Sequence, residues 1–235
     1  MELILVRHGQ PAWTTPEGLG RNDPGLTDLG HAQARLAAER LADPGTEPAP
    51  GAVVDRLFVS PAVRAVETCA PIAEALGLEP EVLDWLWELR NPDDWEGAPI
   101  DAIGEAFEQL RGGSREDWWR GHPGGEPLRG FHARVTGGVE GLLADLGVRR
   151  ASIEGLWDVG DDAPERVVAV AHGGTNGMIL SHLLGASPEP WEWERFCMGH
   201  ASVALLATVP VAGANLWSLR GLGDANHLPV ADRTV

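Results

Sequence analysis

Arg7 and His8 stand together at the end of an apolar run, Leu3-Ile4-Leu5-Val6, with Gly9 immediately after them. An imidazole titrates near neutrality and can attack an electrophile or carry a proton. A guanidinium is a permanent cation whose donor fork matches phosphate oxygens two at a time. The same residue types recur at two other places. Ser60-Pro61 follows Arg56-Leu57-Phe58-Val59, with Arg64 just beyond, and His172-Gly173-Gly174 follows Arg166-Val167-Val168-Ala169-Val170-Ala171. Singly, each signal is weak. A histidine leaving a strand is more often a satisfied structural residue, an arginine in a first helical turn a solvated charge, and Gly-Gly a tight turn. Jointly, Arg7, His8, Arg64 and His172 are what a site for a dianion needs, and phosphate is the natural candidate.

Each of these residues lies where a strand is predicted to stop. Apolar runs predict strands at 2–7, 56–59 and 166–171, and two last strands at 202–208 and 215–219, at or near a sheet edge. Helices are expected from Thr27-Asp28-Leu29-Gly30 to about Leu41, from about 126 to 146, and from the His172-Gly173-Gly174 turn to near Gly185. Another starts with Ser60 as N-cap and Pro61 as first helical residue and stops near Gly77. A Pro/Gly/Ala-rich loop is expected after Asp43, to about residue 52. Alternating strands and helices argue a layered α/β sheet, in which ligands bind beyond the carboxyl ends of parallel strands. If the three strands are parallel neighbours, the four residues converge, and helix N-termini at 61 and 175 add N–H donors and positive potential. Arg64, misplaced against a helix dipole, becomes sensible with an anion between them. Two stretches fit no regular unit. Residues 80–123, with Trp85, Trp87, Trp95, Trp118 and Trp119 among glycines and prolines, read as a long excursion; residues 147–165, irregular and acidic, read as a surface insertion. The whole of 1–235 reads as one domain.

Composition narrows the function classes. A formal net charge of −17 argues against nucleic acid and anionic membranes as partners, though a local cationic pocket can still take a small anion. Cys69 and Cys197 give neither a disulfide framework nor zinc spacing. The start of the chain does not read as a signal peptide and no apolar run is long enough to span a membrane, so a cytoplasmic protein is the expectation. His122, His132, His182 and His200 form no metal-binding pair at helical spacing, His31 is expected to be exposed, and no metal site is expected.

With these stretches in view, the chain resembles the histidine phosphatase superfamily, which includes cofactor-dependent phosphoglycerate mutases and many small phosphatases. The resemblance rests on RHG at 7–9, LTDLGHAQA at 26–34, SPAVRAVET at 60–68, PGGEPLRGFHARV at 123–135, VVAVAHGG at 167–174 and LGDANHL at 222–228, in family order. It implies a three-layer α/β/α sandwich around a mostly parallel sheet. It also implies that His8 is the nucleophile and becomes a phosphohistidine, that Arg7, Arg64 and His172 hold the phosphoryl oxygens, and that Glu88 in LWELR is the acid/base carboxylate. Physics suits these roles: flanking guanidinium charges keep an imidazole neutral, and fixed cations can stabilise phosphoryl transfer, so neither metal nor other cofactor is expected. The segment ELRNPDDWEG is one residue longer than the family pattern, which makes Glu96, Asp93 and Asp94 rival carboxylates.

The resemblance leaves three readings. A phosphomonoester hydrolase acting on a small phosphorylated metabolite is favoured; a cofactor-dependent phosphoglycerate mutase and a non-catalytic phospho-ligand binder are the alternatives. Thr14 stands where mutases carry asparagine, and Leu19, before Gly20, where they carry threonine; Leu19 has no side-chain donor. Thr14, Gly20 and Gly173 are the expected substrate contacts. The excursion tryptophans fit a packed cap or an apolar wall for an organic leaving group.

Overall fold

β1 (Glu2–Arg7) runs through the centre of an eight-stranded sheet and is buried from Leu3 to Val6. The computed structural model describes residues 1–43 and 53–235, so most of the Pro/Gly/Ala-rich loop expected after Asp43 lies outside the described residues. α1 (Asp28–Ala42) is capped by the Thr27 side chain, which accepts from Gly30 N–H. β2 (Arg56–Val59) leads to α2 (Val63–Leu76). β3 (Glu81–Val82), α3 (Ile100–Arg111) and α4 (Arg115–Arg120) belong to the excursion. α5 (Leu128–Asp145) precedes two short strands, β4 (Val148–Arg150) and β5 (Trp157–Val159). β6 (Arg166–Ala171) runs into α6 (Gly173–Leu183), followed by α7 (Glu192–Arg195), β7 (Val203–Val211) and β8 (Ala214–Asp224).

The strand order is β3-β2-β6-β1-β7-β8-β5-β4. Strands β3, β2, β6 and β1 are mutually parallel; from β7 onward the pairing is antiparallel. The parallel strands read as continuous apolar runs because both of their faces are covered. Leu3, Leu5, Val167 and Ala169 pack with Phe131 and Val135 of α5 and Met178 and Ile179 of α6. Ile4, Val6, Val168 and Val170, pointing the other way, pack with Ala38 of α1 and Ala65, Cys69 and Ile72 of α2. These two cores on one sheet make the fold a three-layer α/β/α sandwich. Among the described residues no helix is long and apolar enough to cross a membrane.

Two local expectations are corrected. The second helix starts at Val63 with Ala62 as N-cap, so Ser60 does not cap it. The Ser60 hydroxyl instead accepts from Ala62 N–H at 3.3 Å and faces the site described below. The 147–165 stretch is not irregular throughout: β4 and β5 pair as a hairpin that carries the sheet onward through β8. Trp157 is fully buried there, edge-on to Trp217 with ring centroids 6.5 Å apart. One inward tryptophan between exposed acids gives too short a pattern for period-two alternation to register.

Candidate active site

The first strand's tip is fixed by backbone bonds on both sides. Arg7 N–H donates to Ser202 O at 3.1 Å, His8 N–H to Ala171 O at 2.9 Å, and His8 O accepts from Ala201 N–H at 3.0 Å. Gly9 N–H donates to Thr68 Oγ1 at 2.9 Å. A Cβ at Gly9 would come within 2.5 Å of Gly30 O, so glycine is what lets the turn lie against the start of α1. His8 Nδ1 sits 2.7 Å from Gly9 O. A carbonyl only accepts, so Nδ1 carries the proton and Nε2 keeps a free lone pair. Burial first, then the Arg64 and Arg7 guanidinium charges, hold the His8 pKa well below the ordinary imidazole value. The result is a neutral, oriented imidazole.

His172 ends the neighbouring parallel strand and is the N-cap residue of α6. Its ring lies 5.1 Å from that of His8, and its Nε2 is 2.8 Å from Ser60 Oγ, the hydroxyl that ends β2. Burial and the two arginines also keep His172 neutral. Arg64, buried in the first turn of α2, is braced by Asp23 at 3.3 Å and stacks 4.7 Å from the centre of the Trp13 ring. Asp23 also accepts from Val63 N–H at 3.0 Å, so one carboxylate serves both the helix start and the arginine that opposes its dipole. Arg7 and Arg64 both feel the Glu88 charge, which opposes the lowering of their pKa by burial. Arg7 and His8 at the end of β1, Arg64 at the start of α2 and His172 at the end of β6 therefore meet, and Glu88 lies among them.

Glu88 reaches this position by resting on the start of α6. Its carboxylate accepts from Gly174 N–H at 2.8 Å, Thr175 N–H at 3.2 Å and its own neighbour Leu89 N–H at 3.0 Å. A Cβ on Gly174 would stand 2.5 Å from Glu88 Oε1, so a side chain there would push the carboxylate out of this seat. The rival carboxylates are elsewhere: Glu96 accepts from Asn22 N–H at 2.7 Å, and Asp93 and Asp94 are exposed in a 3₁₀ turn. Arg134 of α5 pins the Glu88 segment by donating to Trp85 O and Trp87 O, each at 2.9 Å, and to Glu88 O at 3.3 Å. Glu126 holds the same guanidinium through both carboxylate oxygens, at 2.9 and 2.6 Å.

The expected substrate contacts divide. Gly173 packs against Arg7, and a Cβ there would lie 3.5 Å from Arg7 Nε. Thr14 and Gly20 instead pair with each other in a small bridge, and Gly20 lies under the excursion, next to Ile103, Trp95 and Ala98. Among the tryptophans, Trp118 and Trp119 are buried, Trp118 against Trp191 and Trp193. Trp95 is only half-buried and clusters with Phe107 and His122 at 5.2 and 4.7 Å. One site neighbour escapes sequence reasoning. His200 is buried, with its ring 5.6 Å from His8 and its Nε2 3.2 Å from Arg7 Nη2. It belongs to no repeated strand-end pattern, so only the antiparallel pairing of β7 with β1 brings it here.

The family model of the histidine phosphatase superfamily (branch 1) matches residues 3–211. The chain belongs to that superfamily. It is 28% identical over 230 residues, 97% of this chain and 95% of the other, to a probable phosphoglycerate mutase GpmB of Yersinia enterocolitica. Among solved structures it resembles a mycobacterial glucosyl-3-phosphoglycerate phosphatase in complex with VO3, with a TM-score of 0.66 and 28% identity over 95% of this chain and 99% of that one. A putative alpha-ribazole-5'-P phosphatase from Escherichia coli shares the fold, with a TM-score of 0.69 and 20% identity over 95% of this chain and 96% of the other.

Proposed function

We propose that this protein hydrolyses a phosphomonoester of a small metabolite through a phosphohistidine formed on His8, without a metal ion. The observation that carries the reading is the His8 imidazole, whose Nδ1 proton is committed to Gly9 O at 2.7 Å and whose Nε2 is free beside the buried Arg64 and half-buried Arg7 guanidinium groups. Arg7 and Arg64 would grip the phosphoryl oxygens, with His172 and the Gly173 N–H at the start of α6 completing the cradle. Nε2 then attacks phosphorus while the P–O bond to the leaving group breaks, and Glu88 as the acid gives that oxygen its proton. In the second step Glu88 as carboxylate takes a proton from water, the water oxygen bonds to phosphorus, and the N–P bond breaks. The sum is ester plus water to alcohol plus phosphate. The arginines supply the charge stabilisation that phosphoryl transfer needs.

The half-buried Trp95, with Phe107 and His122, offers an apolar wall beside Gly20 for the organic part of the substrate. The likeness to a glucosyl-3-phosphoglycerate phosphatase puts glycosylated phosphate esters first among the metabolites to try. The mutase reading draws on the relative named for that activity. Against it, Leu19 brings no side-chain donor where mutases carry threonine, and its polar contacts are backbone ones, its N–H donating to Thr15 Oγ1 at 3.3 Å and its C=O accepting from Thr15 N–H at 2.8 Å.

The test is phosphate release from an aryl phosphate and a panel of phosphorylated metabolites in excess EDTA, with acid-labile phosphoprotein trapped by rapid quench. Undiminished release and a labelled His8 are expected. Loss of activity in chelator would overturn the metal-free mechanism, and turnover that depends on added bisphosphoglycerate would move the protein to the mutase reading.

A further inference from the structure

Four side chains close a circuit around the turn that carries His8. Gln10 N–H donates to Gln33 Oε1 at 2.8 Å, and Gln33 Nε2 donates to Thr234 Oγ1 at 3.0 Å. Thr234 Oγ1 lies 2.8 Å from His200 Nδ1, and His200 Nε2 lies 3.2 Å from Arg7 Nη2. The circuit thus leaves the chain two residues after His8 and returns to it one residue before. Gln33 and His200 are both buried. The 230–235 segment is also held by its backbone: His200 N–H donates to Thr234 O at 2.9 Å, and a Cβ on Gly199 would stand 2.9 Å from that same oxygen.

The donors and acceptors allow one assignment. A guanidinium only donates, so His200 Nε2 must accept, and the neutral ring carries its proton on Nδ1. That proton goes to Thr234 Oγ1, which accepts from His200 and Gln33 together. Burial and the Arg7 charge push His200 down to about 3, so the ring stays an acceptor at neutral pH. On the arginine, Nη1 is committed to Met198 O and one Nη2 proton to His200. Arg7 Nε has no protein partner and lies along Gly173. The edge left over is Nε–H with the second Nη2–H, the parallel pair that a phosphoryl group accepts in bidentate fashion.

We propose that His200, locked by Thr234, is a positioning residue that fixes the roll of the Arg7 guanidinium so that its Nε/Nη2 edge faces the phosphoryl group. The 230–235 segment is then a working part of the site. With Thr234 Oγ1 removed, the His200 ring loses the acceptor that holds its proton on Nδ1. A proton on Nε2 would meet the Arg7 N–H head-on, so Arg7 would be released from its seat.

The proposal rests on the preceding reading only in taking Arg7 as a phosphoryl ligand, and its test separates the two. Orthovanadate binding, measured by calorimetry, and kcat for an aryl phosphate are compared in wild type, Thr234→Ser and Thr234→Val. Thr234→Ser keeps the acceptor and should stay within about twofold of wild type. Thr234→Val should lose about tenfold or more in vanadate affinity and in kcat, the scale of one hydrogen bond to a charged group. Imidazole ¹⁵N shifts should show Nδ1–H for His200 in wild type and Thr234→Ser, and a mixture in Thr234→Val. If Thr234→Val does not fold, Thr234→Ala against Thr234→Ser makes the same comparison. Wild type that binds vanadate but turns nothing over would sink the hydrolase reading and leave the vanadate comparison standing. Equal vanadate affinity in all three proteins, or a serine variant as weak as the valine one, would overturn the positioning role.

Discussion

The strand tips and the excursion supply the same candidate site by different physical means. His8 and His172 end strands whose backbones are paired on both sides, and their positions follow from the ladders. Glu88 belongs to a segment with no such ladder; it is held by one guanidinium, Arg134, and by its own grip on the first turn of α6. The tips are buried, whereas α3 has no fully buried residue and leaves Phe107 exposed. The lesson is a division of labour. On the proposed reading, groups that must not move are built on the sheet, and groups that would meet the variable part of a substrate are built on an outwork braced by side chains.

Substitutions can break or sharpen that contrast. The largest effect belongs to the tips: His8→Ala should cut phosphate release by about 10⁴-fold or more while leaving the far-ultraviolet circular dichroism unchanged. Residual turnover near wild type would remove His8 as nucleophile. Next comes the group on the boundary. Glu88→Gln should lower kcat by about 10²- to 10³-fold and accumulate acid-labile phosphohistidine in a rapid quench. Unchanged turnover would return the role to Asp93, Asp94 or Glu96.

The brace comes third. Arg134→Met leaves Trp85 O and Glu88 O without their donor and reduces Trp87 O and the Glu126 carboxylate to Thr175 Oγ1 and Arg90 N–H, and should lower stability by about 2–4 kcal/mol in urea melts. Its kcat should fall about tenfold with little change in phosphate affinity, since Arg7, Arg64 and His172 are untouched. Equal losses in phosphate binding would mean that tips and excursion are one mechanical unit. Trp95→Ala should have the smallest effect, a change of about threefold in KM that differs between aryl phosphate and bulkier esters.

The same contrast governs what could be read from the letters. Parallel strands at 2–7, 56–59 and 166–171 are apolar between their charged end residues, so their ends, and with them Arg7, His8 and His172, stand out in the sequence. Arg64 stands out because it sits against a helix dipole, and the histidine phosphatase resemblance joins the rest. Glu88 was legible only through that resemblance, since the contacts that choose it over Glu96 run to Gly174 and Asn22, distant in the chain. Ser60 was legible as a polar residue but given the wrong task, because capping is local and its neighbour His172 is not. His200 and Thr234 left no signal at all. Their significance lies in one antiparallel pairing and one backbone contact, neither of which has a period or a motif.

One feature of the excursion bears on traffic. Asp93, Asp94, Asp101, Glu105 and Glu108 are exposed on it and outnumber its exposed arginines, Arg90, Arg111, Arg115 and Arg120, while of the cations of the site Arg64 is buried and Arg7 half-buried in a chain of net charge −17. Under the proposed function, a dianionic substrate would approach against the net charge and be attracted only at close range, within about a Debye length of 8 Å in physiological salt. That field would slow capture, but it would also shorten the stay of inorganic phosphate, the product of the proposed hydrolysis, at the two arginines. Selection against large polyanions and ready clearance of the product would then come from the same outer charge.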